Sequence, residues 1–230
     1  MKLLFLLVFI GTMTLQAETP PSESSPPPPS DAAVDAHSTI KAAAIDPFQD
    51  PFIATLHARH QKAVEGDKKE VKLLVSDLEK LTAENPQNSL LLAYLGSTYT
   101  LQSRDAFPGP TKLELLKKGG KTLDQAVNQD PYNIATRFIR AVNYYELPRI
   151  FNKRNISRED FQIIVTQMES PGSPCYFSDE TRQAIYYYSG FSYQQLKQPE
   201  QSKILWQKGI QISPFSSLGQ KMQHELKKLK

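Results

Sequence analysis

Beyond Pro47, apolar side chains return at three- and four-residue steps rather than at every second position. The runs Val71, Leu74, Val75, Leu78, Leu81 and Leu91, Leu92, Leu95, Tyr99 both keep this spacing, which places each set on one side of an α-helix. No convincing period-two alternation occurs, so the pattern predicts helices and no strands. Helix starts carry signals of their own: Asp67 stands before Lys68, Lys69 and Glu70, and Ser157 with Asp160 is a loose acidic relative of a capping box. Breakers divide the helical stretches at Asn85-Pro86, Pro108-Gly109-Pro110, Asp130-Pro131, Pro148, Pro171-Gly172 and Ser213-Pro214.

Before Pro47 the pattern changes. Residues 3–15 form an apolar stretch behind Lys2, and Gln16-Ala17 precede Glu18; this is the arrangement of a secretory leader over residues 1–17, cut after Ala17. The stretch is shorter than the ~20 residues that cross a bilayer, although Leu15 is a poor residue two places before the cut and retention as an anchor stays open. No cysteine follows it to carry a lipid. Residues 18–46 are rich in Pro, Ser and Ala around Pro26-Pro27-Pro28-Pro29, a composition that stays extended and serves as a spacer or, alternatively, as a ligand for a proline-binding module. The chain thus divides into a leader (1–17), a linker (18–46) and a helical domain (47–230), and is expected to be exported, periplasmic or secreted, from a bacterial source.

With 230 residues, 40% hydrophobic and 10% aromatic, the chain has enough apolar material for a sizeable core. The formal charge of +3 includes Lys2 of the leader. A near-neutral mature chain argues against nucleic acid as a partner. Cys175 is the sole cysteine, so stability must come from packing, and Cys175 reads as a small residue in the turn after Ser170.

Three breakers share one form: Asn85-Pro86-Gln87-Asn88, Asp130-Pro131-Tyr132-Asn133 and Ser213-Pro214-Phe215-Ser216. Around the last, Tyr186, Ser189-Gly190 and Tyr193 lie on one predicted helix, Ser202, Trp206 and Gly209 on the next, and Pro214 follows. This pattern resembles the tetratricopeptide-repeat family, with every spacing matched. Small residues such as Gly190 and Gly209 let paired helices approach, and the rings fill the wedge between them. Leu92, Leu95-Gly96 and Tyr99 with Gly119, Leu123, Ala126 and Pro131 match a second unit lengthened at residues 104–112. Ala141 and Tyr144 with Ser157, Phe161 and Ile164 match a third, lengthened at residues 147–155. The segment from Phe52 to Pro86 keeps only the periodicity and the closing proline. Arg104-Asp105-Ala106-Phe107 and the stretch from Leu147-Pro148 to Asp160-Phe161 are similar to segments of exported proteins of this repeat class. The resemblance implies an all-α fold: a right-handed superhelical stack of about four antiparallel helix pairs, with two inter-helix insertions and a C-terminal capping helix.

Marks of common enzymes are missing from the sequence: there is no Walker loop, no G-x-S-x-G elbow and no G-x-G-x-x-G. The protein is therefore expected to be non-catalytic, with no cofactor. Gly119-Gly120 reads as a helix-packing site. His57 and His60 share a helix face but lack the H-E-x-x-H pattern, so two solvated histidines and no metal are expected. Arg104-Asp105 reads as a local pin for the first insertion, and with Arg149 and Arg154 is the one polar cluster an enzyme would have to use. Glu159-Asp160 reads as acidic charge at a helix start. The basic amphipathic segment from Lys221 to Lys230 suits a cap on the end of the stack, with peripheral membrane contact as the alternative. Asn155-Ile156-Ser157 is a glycosylation sequon that matters only in a eukaryotic route.

The resemblance also says where a partner would sit, because the first helix of each pair lines the concave face. Once core positions are assigned, Leu90, Ala93, Tyr94 and Ser97, then Phe138, Val142 and Tyr145, then Ala184, Tyr187, Tyr188, Phe191 and Gln194 remain for that face. It is aromatic and neutral. Almost none of the Lys, Arg and Asn of a carboxylate clamp is present there, so no such clamp is expected. The expected partner is an apolar peptide or protein segment held by Tyr94, Phe138, Tyr145, Tyr187, Tyr188 and Phe191. The alternative is a hydrophobic small molecule in a cavity closed by the insertions, or insertions that fold in and bury these rings as core.

Overall fold

The computed structural model describes residues 46–170 and 177–229. The leader, the linker up to residue 45 and Cys175 lie outside them. Among the described residues the chain is all helical, in the order α1 (Pro51–Glu65), α2 (Lys68–Glu84), α3 (Ser89–Asp105), α4 (Pro110–Gln129), α5 (Ile134–Glu146), α6 (Arg154–Glu169), α7 (Asp179–Gln195), α8 (Pro199–Ile212) and α9 (Ser217–Lys228). Short 3-10 turns stand at Pro47–Gln49 and Arg149–Phe151.

The three similar breakers act by one mechanism. Asn85, Asp130 and Ser213 close the helices before them, while the side chains of Asn88, Asn133 and Ser216 accept from Leu91, Thr136 and Gly219 N at the start of the next. The backbone of each motif folds into the same turn, with Asn88 N donating to Asn85 O, Asn133 N to Asp130 O and Ser216 N to Ser213 O. Stop, turn and start are thus encoded in four residues. Asp67 caps α2 as expected, accepting from Lys69 and Glu70 N. Between them, α1 ends on Gly66 at φ 113, a left-handed conformation that glycine adopts without a Cβ clash.

Consecutive helices pack as antiparallel neighbours, closest where side chains are smallest. A Cβ on Gly96 would lie 2.8 Å from Leu123 N, and one on Gly119 2.7 Å from Thr100 Cγ2. In α5 and α6 the same contact is made by Ala141, whose carbonyl accepts from Ser157 Oγ at 2.7 Å; in α7 and α8 Gly190 O accepts from Ser202 Oγ at 2.8 Å. Ser157 is therefore a buried residue inside α6 rather than the expected cap, and α6 begins earlier, at Arg154, without a side-chain cap. The odd-numbered helices lie alongside one another, α1 on α3, α3 on α5, α5 on α7 and α7 on α9. Their shared direction shows in parallel contacts: His57 to Tyr94 and His60 to Ser97, then Ser89 to Thr136 and Thr100 to Asn143.

Two groups of buried apolar side chains form the core. The first joins α1 to α5 through residues such as Leu74, Leu78, Leu101 and Leu123. The second joins α5 to α9 through Phe161, Ile164, Trp206 and Met222. Met222 fills the space beside Gly209, so the apolar side of α9 is spent on α8. Asp160 lies beside the second group with its side chain 1% exposed, accepting from Arg137 and from both Nε and Nη2 of Arg140. It is not the solvated helix-start charge expected, because α6 begins six residues before it.

Candidate ligand groove

Tyr94, Tyr187 and Tyr188 were expected on an open face, and the structure buries all three, at 1%, 9% and 3% exposure. Phe138, Tyr145 and Phe191 are half-buried. Five of the six meet in one cluster. Phe138 stacks edge-on with Phe48, Phe161 and Tyr188; Tyr145 meets Tyr188 and Phe191; Phe191 meets Tyr187 and Trp206. Tyr94 stands apart, against His57 and His60 of α1.

The cover over Phe138 comes from residues just before α1, not from the insertions. Phe48 packs against His57, Phe138 and Phe177. Asp46 holds it in place, accepting from Ser178 N at 2.9 Å, Thr181 Oγ1 at 2.8 Å and Phe48 N at 3.0 Å. Asp46 is itself 2% exposed, so it belongs to this packing. A signal for this burial stands in the sequence: in α3 nearly every residue from Ser89 to Leu101 is buried, and a helix that is apolar or small all round needs cover on every side.

The histidines are not solvated. His60 is 3% exposed, with Nε2 2.7 Å from Ser97 Oγ, which also accepts from Asn143 Nδ2 at 2.9 Å. Gln61 Nε2 donates to His57 Nε2, which leaves the ring proton on Nδ1, 2.9 Å from the Tyr94 hydroxyl. His60 falls on the stripe Ile53, Leu56, His60, Ala63, Val64, and its place in that apolar period was the readable sign. Burial holds His57 down to about 4 and His60 to about 3, the latter helped by the charges of His57 and Arg104. Both rings are neutral in the fold, whereas the unfolded chain binds their protons near pH ~6.5. Their contribution is complete above that pH and is lost as pH falls toward the folded values, at up to about 1.4 kcal/mol per pH unit for each ring. Urea unfolding at about pH 7.5 and about pH 5 should show a larger loss in the wild type than in His57→Gln/His60→Gln. Equal losses would mean that the rings are not held neutral.

An open, largely apolar concavity lies elsewhere, between the two lengthened connections. Thr100, Ser103 and Arg104 of α3, Lys112, Leu113 and Leu116 of α4, and Leu147, Pro148 and Phe151 line a groove of about 520 Å³. Leu113, Leu116, Leu147 and Phe151 also border a neighbouring space of about 370 Å³, together with Lys117, Lys121, Asp124, Tyr144 and Lys153.

The first insertion lengthens α3 and α4 and leaves a short turn between them. Ser103 Oγ donates to Lys112 O at 2.7 Å, and Lys112 Nζ donates back to Ser103 O and Arg104 O. Arg104 ties this end to α1, donating to Ala63 O and Val64 O while paired with Asp105. These bonds make Arg104-Asp105 the local pin it was read as. The second connection is anchored by buried Leu147 and by Lys153, whose Nζ sits 3.2 Å from Asp124 Oδ2 and 4.5 Å from the centre of the Tyr144 ring. Each loop also exposes a large apolar side chain: Phe107 is 89% and Ile150 84% exposed, with Leu113 on the lip at 44%. Sequence reading missed Leu113, Leu116 and Phe151. Leu116 continues the stripe of Gly119, Leu123 and Ala126 and packs against the core, while Leu113 lies to one side of that stripe and widens the apolar face of α4.

Among the described residues no group of three or more His, Cys, Asp and Glu is placed to hold a metal ion, and no helix is long and apolar enough to cross a membrane. In comparison with known proteins, no family model, no curated protein and no solved structure matches this chain.

Proposed function

We propose that this chain is a non-catalytic, exported binding protein of tetratricopeptide-like construction that takes an apolar ligand in the groove between its two lengthened connections. The observation that carries this reading is the groove itself: roughly the 300–1,000 Å³ of a small-molecule site, lined by Leu113, Leu116, Leu147, Pro148 and Phe151. Apolar side chains left at its lips are costly in water and are commonly kept for contact. Support for the repeat class comes from the shared four-residue turn and the recurring small-residue contact at Gly96, Ala141 and Gly190. The apolar leader at residues 3–15 supports export.

A second reading keeps the aromatic face as the site of an apolar polypeptide. It is favoured by Phe48, which shows that the pocket beside Phe138 accepts an aromatic side chain. In this reading a partner ring takes that place once residues 46–49 move away.

The groove reading is tested with N-phenyl-1-naphthylamine, a neutral dye that brightens in apolar sites. The wild type should bind it saturably, and Leu113→Asp should weaken binding by about tenfold or more, since a charge forced against an apolar ligand goes unpaired. Leu113 is 44% exposed, so the variant should melt with the wild type. Absence of saturable binding, or binding indifferent to Leu113→Asp, would remove the groove as the site.

A further inference from the structure

We infer that the ligand of this groove is an anionic amphiphile, a long-chain carboxylate, lying with its chain between the two connections and its headgroup beside Lys117 and Lys121. The inference rests on the groove reading and adds the chemical class and direction of the ligand.

The direction follows from how the lining charges are used. Five cations border the two neighbouring spaces, Arg104, Lys112, Lys117, Lys121 and Lys153, against the single carboxylate of Asp124. At the α3 end Arg104 and Lys112 are consumed. Arg104 donates to two carbonyls of α1 and to Asp105, and Lys112 donates to carbonyls at the end of α3. That end therefore presents apolar surface, with few donors left to hold a charged group.

At the other end the balance reverses. Asp124 already accepts from Tyr144, Arg140 and Lys153. Lys117 and Lys121, one turn apart on α4, are exposed and make no hydrogen bond or ion pair among the described residues. A carboxylate placed there meets two unpaired ammonium groups one helical turn apart, and charge-assisted bonds of that kind favour an anion over a neutral group of the same shape. A neutral ligand would leave both lysines unused, and a cationic one would meet like charge. Leu113, Leu116, Leu147 and Phe151 line both spaces, and this shared apolar lining suits an unbranched chain that runs from one to the other.

The test is displacement of bound N-phenyl-1-naphthylamine by dodecanoate, dodecanol and dodecyltrimethylammonium, each kept below its micelle concentration. Dodecanoate should displace the dye at about tenfold lower concentration than dodecanol, with the ammonium weakest. In Lys117→Gln/Lys121→Gln that preference should collapse, while Lys227→Gln/Lys228→Gln on α9 should keep it. Equal displacement by carboxylate and alcohol, or a preference for the ammonium, overturns the headgroup assignment and leaves the groove reading standing. Failure of all three against a dye that does bind at the groove overturns the inference, as does tighter competition by an acidic amphipathic peptide than by dodecanoate. Failure of the dye itself to bind belongs to the groove reading.

Discussion

Gly190→Leu is expected to destabilise the protein by about 3 kcal/mol or more, the upper end of overpacking effects. A Cβ at this position would collide with Trp206 Nε1 and stand 2.5 Å from its Cδ1. The indole cannot retreat easily: Trp206 is fully buried and its Nε1 donates to Tyr187 O at 3.1 Å. Added methylenes must therefore push α7 and α8 apart, breaking the Ser202 to Gly190 bond that closes the pair. Gly120 provides the internal contrast, because a Cβ there meets only the Tyr144 hydroxyl at 3.6 Å. Gly120→Ala should be neutral or stabilise by about 0.5–1 kcal/mol, as expected for a helix-interior glycine. Urea unfolding of both variants decides the matter. A Gly190→Leu midpoint equal to that of the wild type would show that α7 and α8 do not cross there.

Asp160→Ala should cost about 3–5 kcal/mol, the usual result of removing one partner from a buried ion pair. Arg140 grips the carboxylate with a two-bond fork at 2.7 and 2.8 Å, and Arg137 adds a third bond at 2.6 Å. The arginine side chains are 11% and 13% exposed, so water replaces the lost carboxylate poorly. Arg140 retains its weaker contact with Asp124 at 3.2 Å, which tempers the loss without cancelling it. The thermal midpoint should fall on the order of 10 °C for a domain of this size. A drop below about 1 kcal/mol, the range of exposed pairs, would mean that the three side chains are solvated.

Both effects were half visible in the residues. Gly190 was legible as a crossing point because the requirement for a small side chain between paired helices is local and periodic. Asp160 was misread because a capping pattern and a buried charge can share the same spacing. What distinguishes them is that Asp160 lies on the stripe Ser157, Asp160, Phe161, Ile164, Met168, the buried side of α6. His60 failed in the same way. A polar residue on an apolar stripe implies a partner from another helix, and that partner lies at Ser97 or at Arg137 and Arg140, beyond the reach of any local pattern.

The sequence by itself determined the helices, their boundaries at the repeated turns and the pairing through Gly96, Ala141 and Gly190, since caps, turn residues and small-residue contacts act over a few residues or between consecutive helices. Which aromatic face would be covered, and by what, was decided only by tertiary structure. Asp46 reaches Ser178 and Thr181 across more than half the chain, and no periodicity records a contact of that range. The groove is of the same kind. Its volume exists because two connections distant in sequence, one holding Gly109 and the other Phe151, are brought to one groove by the packing of α3, α4 and α5.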